Sequence, residues 1–328
     1  MPADTKFELK MGMATREAFG QALAELGREN KNVVAVDADL SKSTHTHLFA
    51  KEFPERFYSC GIAEANMVGV AAGLASAGKI PFAASFASFA INKGFEQLRV
   101  LLAYPSVNAK IVGTHCGVSI GEDGPSQMAI EDIGLACSLP GFVVLSPADE
   151  VSMKALVRQA AAHVGPVYIR AGRPKVPLIY PPDKVFTIGK AEELIAGTDV
   201  AIIATGLLVA EAIRAAQHLA ASGVSARVID MHTIKPLDVE AIRQAAQTGA
   251  IVVAEEHLVH DGLGVRVAQV VAETHPCPME FVGILDTYAE SATPDQLLDK
   301  YGLIARDVIA AVERVLARKK GAGAAARG

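Results

Sequence analysis

Short apolar runs alternate with helical periodicities along nearly all of this 328-residue chain, and that alternation constrains the fold more than any other feature. Val33-Val-Ala-Val36 is too short for a buried helix and too evenly apolar for a half-exposed strand, so it predicts a strand covered on both faces. Just upstream, Phe19, Ala22, Leu23 and Leu26 share one helix face, with Thr15 placed to cap it. The pattern continues with strands over Ile80–Ala84, Ala109–Gly113, Phe142–Leu145 and Val167–Arg170. Between them come helix faces formed by Met67, Val70, Ala71 and Leu74, then Ile91, Phe95, Leu98 and Leu102. Met153, Leu156, Val157 and Ala160 make a third, which Asp149 should cap. Strand–helix repetition of this kind predicts parallel sheets with helices on both faces.

Four prolines within Arg173–Pro182 interrupt the pattern, because proline neither donates to a ladder nor continues a helix. The alternation then resumes with strands Val200–Ala204, Ala226–Asp230 and Ile251–Ala254, and a last helix near Ala305–Arg318. The fold class is therefore α/β, as two successive three-layer α/β/α domains with largely parallel sheets. The expected divisions are residues 1–174, a proline-rich linker over 175–190, a second domain over 191–318, and a flexible tail over 319–328.

Composition narrows the function. The charge sum of −5 gives no field that would favour nucleic acid or anionic lipid. No apolar run reaches the roughly 18 residues that a membrane helix needs. Four widely spaced cysteines form neither a disulfide framework nor a zinc ribbon, and a cytoplasmic location is expected.

In open parallel sheets, ligands bind beyond the carboxyl ends of the strands. The densest polar stretch lies at one such end: Gly113-Thr-His-Cys-Gly-Val-Ser-Ile-Gly-Glu-Asp-Gly-Pro-Ser-Gln-Met128, with four glycines. A loop this long is usually functional or disordered. Spacing alone leaves open whether it binds a ligand or is simply a turn with a satisfied histidine. Glu64 opens an otherwise apolar helix, where the helix dipole favours a carboxylate whether or not it has a further role. Phe86 and Phe89 could flank a flat heterocycle, although phenylalanines more often belong to the core. His45-Thr-His47 lacks a third metal ligand, Asp261-Gly-Leu-Gly264 lacks the third glycine of a dinucleotide loop, and Glu255-Glu-His257 reads as structural or interfacial.

Taken together, several of these segments resemble the transketolase family. The first half is similar to its pyrimidine-binding domain in Gly61-Ile-Ala-Glu64-Ala-Asn-Met67, Ser85-Phe-Ala-Ser-Phe89, the Gly113–Met128 loop and Arg170-Ala-Gly-Arg-Pro174. The second half is similar to its C-terminal domain in Thr233-Ile-Lys-Pro-Leu-Asp238 and Glu255-Glu-His257. The likeness runs from about Thr15 to about Leu316, with Gln127 where microbial and plant forms usually carry His. It implies thiamine diphosphate chemistry that moves a two-carbon ketol unit from a ketose phosphate to an aldose phosphate, in the pentose phosphate route or another sugar pathway. By the same resemblance Glu64 pairs with the pyrimidine ring nitrogen, Phe89 stacks on the pyrimidine beside Phe86, and Gln127 bonds its amine edge. Ser43 and Arg173 would grip the sugar phosphate, His115 would sit at the reacting oxygens, and Asp123 would read a substrate hydroxyl.

One departure matters. Full-length members are about twice as long and carry a Gly-Asp-Gly…Asn site for the metal and the diphosphate, and this sequence contains no Gly-Asp-Gly. The resemblance therefore implies the C-terminal half of a split enzyme, with no metal held by this chain. Mg2+ or Ca2+ and the diphosphate would be held by a separate N-terminal subunit in a two-plus-two heterotetramer. Three alternatives are weighed against this: the beta subunit of a 2-oxoacid dehydrogenase first component, a deoxyxylulose phosphate synthase-like enzyme, and a non-catalytic pyrimidine-domain scaffold.

Overall fold

The computed structural model describes residues 7–325, with side chains to residue 321. A seven-stranded sheet carries the first half of the chain. Its order is Thr233–Lys235, Val143–Leu145, Val167–Arg170, Lys110–Thr114, Ile80–Phe86, Val33–Asp37, Phe57–Ser59. Only the first of these runs antiparallel to its neighbour. Val33–Asp37 is buried at every position, as a strand packed on both faces must be. Helix Thr15–Glu29 lays Phe19 and Leu23 against one face of this sheet, while Met67 and Val68 of helix Glu64–Ser76 pack on the other side.

The second half builds a five-stranded sheet in the order Met279–Ile284, Ile251–Leu258, Val200–Ala204, Ala226–Asp230, Glu192–Ile195. Only Glu192–Ile195 is antiparallel there. The strand Thr233–Lys235 lies in the chain between two strands of this sheet, Ala226–Asp230 and Ile251–Leu258, but closes the edge of the first one, so the two halves are stitched together by backbone pairing.

Register aligns the carboxyl ends of the first sheet. Asp37 lies opposite Ala84, Ser85 opposite Gly113, and Gly113 opposite Arg170. The segments that follow these strands therefore meet along one edge.

Several local expectations change. Thr15 does not cap its helix; Ala14 holds that position, and the Thr15 hydroxyl instead accepts the Gly172 N–H at 2.7 Å. The expected face from Ile91 to Leu102 is not one continuous helix, but Ala87–Asn92, Phe95–Gln97 and a wider π-helical stretch Leu98–Ala103. Gly94 lies at the break, where a Cβ would stand 2.6 Å from the Ala90 carbonyl oxygen. Within the proline-rich stretch, Lys175–Pro177 forms a short antiparallel ladder with Met11–Ala14. The last helix runs Ala305–Ala325, past the point where a tail was expected; residues 326–328 of that expected tail lie outside the described residues. Asp149 caps Glu150–Ala162 as expected, accepting the Ser152 N–H at 2.8 Å. Among the described residues no helix is long and apolar enough to cross a membrane.

Candidate active site

Glu64 begins its helix directly after Ala63, which offers no side-chain cap. Its carboxylate is only 3% exposed. The positive end of the helix dipole makes that position tolerable for an anion. One oxygen accepts a hydrogen bond from Lys93 Nζ at 3.2 Å. The same ammonium stands 4.2 Å from the centroid of the Phe89 ring.

Phe89 continues a wall of flat side chains. Its ring stacks on Phe86 at 5.5 Å between centroids with planes 19° apart. Phe86 in turn stacks on the imidazole of His115 at 3.9 Å. Phe86 ends a central strand and Phe89 lies one helical turn later, so the chain reversal at the sheet edge presents both rings to one side.

His115 adopts a left-handed backbone conformation, φ 57°, immediately after Thr114. Its Nδ1 lies 2.9 Å from the Thr114 hydroxyl and its Nε2 lies 3.3 Å from Arg16 Nη1. A guanidinium can only donate, so Nε2 accepts and Nδ1 carries the proton. Burial, reinforced by the charges of Arg16, Arg173 and His45, pushes the His115 pKa down to about 3. The ring is therefore neutral at physiological pH and presents an acceptor nitrogen.

Arg16 was not anticipated from the sequence. It leaves the first helix at the sheet edge, donates to the Ser43 carbonyl at 2.8 Å, and lies near enough to Arg173 to feel its charge. Burial lowers its pKa, and its Nε is a buried donor without a partner among the described residues. Such a donor is expensive unless something fills the space beside it. Ser43 is placed by buried Asp37, whose carboxylate accepts from the Leu40 N–H at 2.6 Å and from the Thr44 and Thr46 hydroxyls at 2.9 Å each. Gly20 permits this loop to approach, since a Cβ there would meet His45 Cβ at 2.4 Å.

The second half of the chain shapes the Gly113–Met128 loop. Glu256 Oε1 accepts the Ser119 N–H at 2.6 Å, and a Cβ on Gly117 would reach the Glu256 carboxyl carbon at 2.1 Å. Gly121 and Gly124 take positive φ angles against Pro294 and Ser291. Glu255 accepts from the N–H groups of Leu263 and Gly264, at 2.7 Å each, and His257 Nε2 accepts from Ile133 N–H at 3.1 Å. These contacts place Glu255-Glu-His257 at the contact between the halves.

The structure thus brings Glu64, Phe86, Phe89 and His115 into one contiguous surface, with Ser43 and Arg173 at its far end. Arg173 donates to Glu122 Oε2 at 3.1 Å and to the Ile120 carbonyl. Gln127 is half-buried, and its carbonyl anchors the Ser88 hydroxyl at 3.0 Å. Asp123 is exposed at the loop tip, away from these contacts. Sequence reasoning missed Arg16 and Lys93, because one basic residue at each of two helix ends is unremarkable until packing shows what faces it. Among the described residues no group of three or more His, Cys, Asp and Glu could hold a metal ion.

Comparison with known proteins gives a consistent picture. Residues 11–178 match the transketolase pyrimidine-binding domain, and residues 189–308 match the transketolase C-terminal domain. A putative transketolase C-terminal section from Methanocaldococcus jannaschii is 45% identical over 291 residues, covering 88% of this chain and 92% of that protein. A 6-deoxy-6-sulfo-D-fructose transketolase subunit from Clostridium sp. (strain MSTE9) is 41% identical, covering 93% and 95%. Against human transketolase the identity is 38%, and the chain spans only 51% of that protein. A solved split-gene transketolase, described as an inactive β4 tetramer, superposes with a TM-score of 0.89 at 51% identity, covering 94% of this chain and 100% of that one.

Proposed function

The chain belongs to the transketolase family, and we propose that it is the C-terminal subunit of a split transketolase that transfers a two-carbon ketol unit between sugars. The observation that carries this reading is the single surface formed by buried Glu64, the Phe89–Phe86–His115 stack and the arginine pair.

These residues fit thiamine diphosphate. A buried carboxylate whose side-chain partner among the described residues is one flexible lysine suits a pyrimidine ring nitrogen, and the exposed part of the Phe89 ring suits its flat face. When bound, the cofactor would supply a carbon acid whose deprotonated form adds to a carbonyl. Glu64 would hydrogen-bond the pyrimidine ring nitrogen and so favour the form of the ring that accepts a proton. Phe89 and Phe86 orient the ring, and Gln127 bonds its amine edge. Neutral His115 offers Nε2 to a substrate hydroxyl proton once Arg16, which donates to that nitrogen in the free chain, turns to the anionic end of the sugar. Arg16, Arg173 and Ser43 hold the anionic end of the sugar, a task for which forked guanidinium donors are suited. Asp123 at the loop tip reads a substrate hydroxyl.

A separate N-terminal subunit supplies the metal and the diphosphate grip, with residues 1–174 and 191–318 of this chain as its two domains. Two of each chain make the active assembly. Ile62, Val100, Leu101 and Tyr104 leave apolar surface exposed around the Glu64 helix, which supports burial by other chains there. The description of the similar tetramer as inactive supports partner dependence.

Purified alone, this chain should show no ketol transfer, and mixing it with its N-terminal partner and thiamine diphosphate should restore it. Transfer by the lone chain, or none by a well-formed complex against a panel of ketose and aldose phosphates, would refute the reading.

A further inference from the structure

Lys93 makes two contacts that no other described residue makes together. Its ammonium donates to Glu64 Oε2 at 3.2 Å and lies 4.2 Å from the Phe89 ring centroid. Under the function proposed above, that carboxylate and that ring are the two groups that receive the pyrimidine. We propose that Lys93 is a further residue of the cofactor site, which holds the pyrimidine's place in the free subunit and swings out when the cofactor binds.

The physical reasons are specific. A carboxylate that is 3% exposed is costly to leave unpaired, and in the free chain Lys93 is what pairs it. An ammonium over a ring face also gains a cation–π contact. Yet the Lys93 side chain is 49% exposed, so its head can rehydrate by rotating about its own stem. It sits at the C-terminal end of helix Ala87–Asn92, just before the Gly94 break, and is exposed there. Arg170, by contrast, is 4% exposed and locked by Asp132 and two carbonyls, and could not leave its carboxylate.

Cofactor binding must then displace Lys93, and removing its charge should tighten binding. In the complex with the N-terminal subunit, Lys93→Met should bind thiamine diphosphate roughly three- to tenfold more tightly by calorimetry, the range expected for losing one half-exposed ion pair with a cation–π contact. Lys93→Arg keeps both contacts and should bind like the native chain. Unchanged or weaker binding by Lys93→Met would overturn the proposal, since a lysine that stays to assist the cofactor predicts that sign. If the native complex binds no thiamine diphosphate, the functional reading falls and this inference with it; if it binds and Lys93→Met does not differ, only the inference falls. A second readout is direct. After reductive 13C-methylation, the Lys93 methyl resonance, identified by its loss in Lys93→Met, should show a Phe89 ring-current shift in the free chain. That shift should vanish in the loaded complex, and a resonance that does not move overturns displacement.

Discussion

Two buried carboxylates at the working edge of the first sheet invite comparison. Asp132 accepts from Tyr168 Oη at 2.7 Å and from Arg170 Nε at 2.9 Å, and all three side chains are sealed at the contact with the second half. Burial by itself would lower the Arg170 pKa, but the adjacent Asp132 and the nearby Cys116 and Glu256 outweigh it and hold the guanidinium well above its ordinary pKa. Glu64 is as deeply placed, yet among the described residues its side-chain partner is a single half-exposed lysine. A carboxylate whose partners cannot move is part of the scaffold. One whose partner can leave is poised to take a ligand.

The largest expected effect breaks that contrast on the ligand side. Glu64→Gln in the reconstituted complex should cut ketol transfer about a hundred- to ten-thousand-fold, the span for removing a group that governs proton transfer. Circular dichroism of the variant should match the native chain; near-native turnover would remove Glu64 from its role. On the scaffold side, Arg170→Met strands a buried Asp132 charge and should cost roughly 3–5 kcal/mol of unfolding free energy in urea. A loss below about 1 kcal/mol, the range of an exposed pair, would show that this network is no more structural than Glu64–Lys93.

Glu256 sharpens the comparison through pH. Burial pushes its carboxyl up from 4.5 to about 7. A raised acid binds its proton more tightly in the folded state. Its contribution to stability is therefore complete below about pH 4.5 and is lost as pH rises through about 7. Glu256→Gln keeps an acceptor for the Ser119 N–H and should remove this part of the slope, leaving the variant about 1–3 kcal/mol more stable than the native chain at pH 8. Parallel urea titrations at several pH values measure it, and a native-like slope in the variant would contradict the assignment. The smallest effect concerns the anion end. Arg16→Lys keeps charge but loses the fork, and should raise the KM of an anionic sugar about tenfold with little change in kcat. A loss in kcat alone would move Arg16 from substrate binding to support of His115.

Much of this was legible in the chain itself. The strands Val33–Asp37, Lys110–Thr114 and Val200–Ala204 could be read because strands buried on both faces must be apolar throughout. The long polar loop after Lys110–Thr114 could be placed at the binding edge because loops after parallel strands open there. Other features could not be read. Thr233–Lys235 is three residues long, and its place on the first sheet depends on where the two halves dock. The break at Gly94 depends on the Ala90 carbonyl it avoids. Arg16 and Lys93 stand 77 positions apart, and nothing local distinguishes them from solvated basic residues.

By itself, then, the sequence determined two parallel α/β units, the sheet edge where the candidate site lies, and the resemblance that points to a cofactor class. Periodicity and residue type are local and survive in any chain. Only the tertiary structure decided which charges share a space: that His115 is a neutral acceptor for Arg16, that Glu256 steadies a loop from the other half, and that one lysine spans both Glu64 and Phe89. Protonation and pairing depend on distance and burial, and those exist only once segments remote in the chain have packed together.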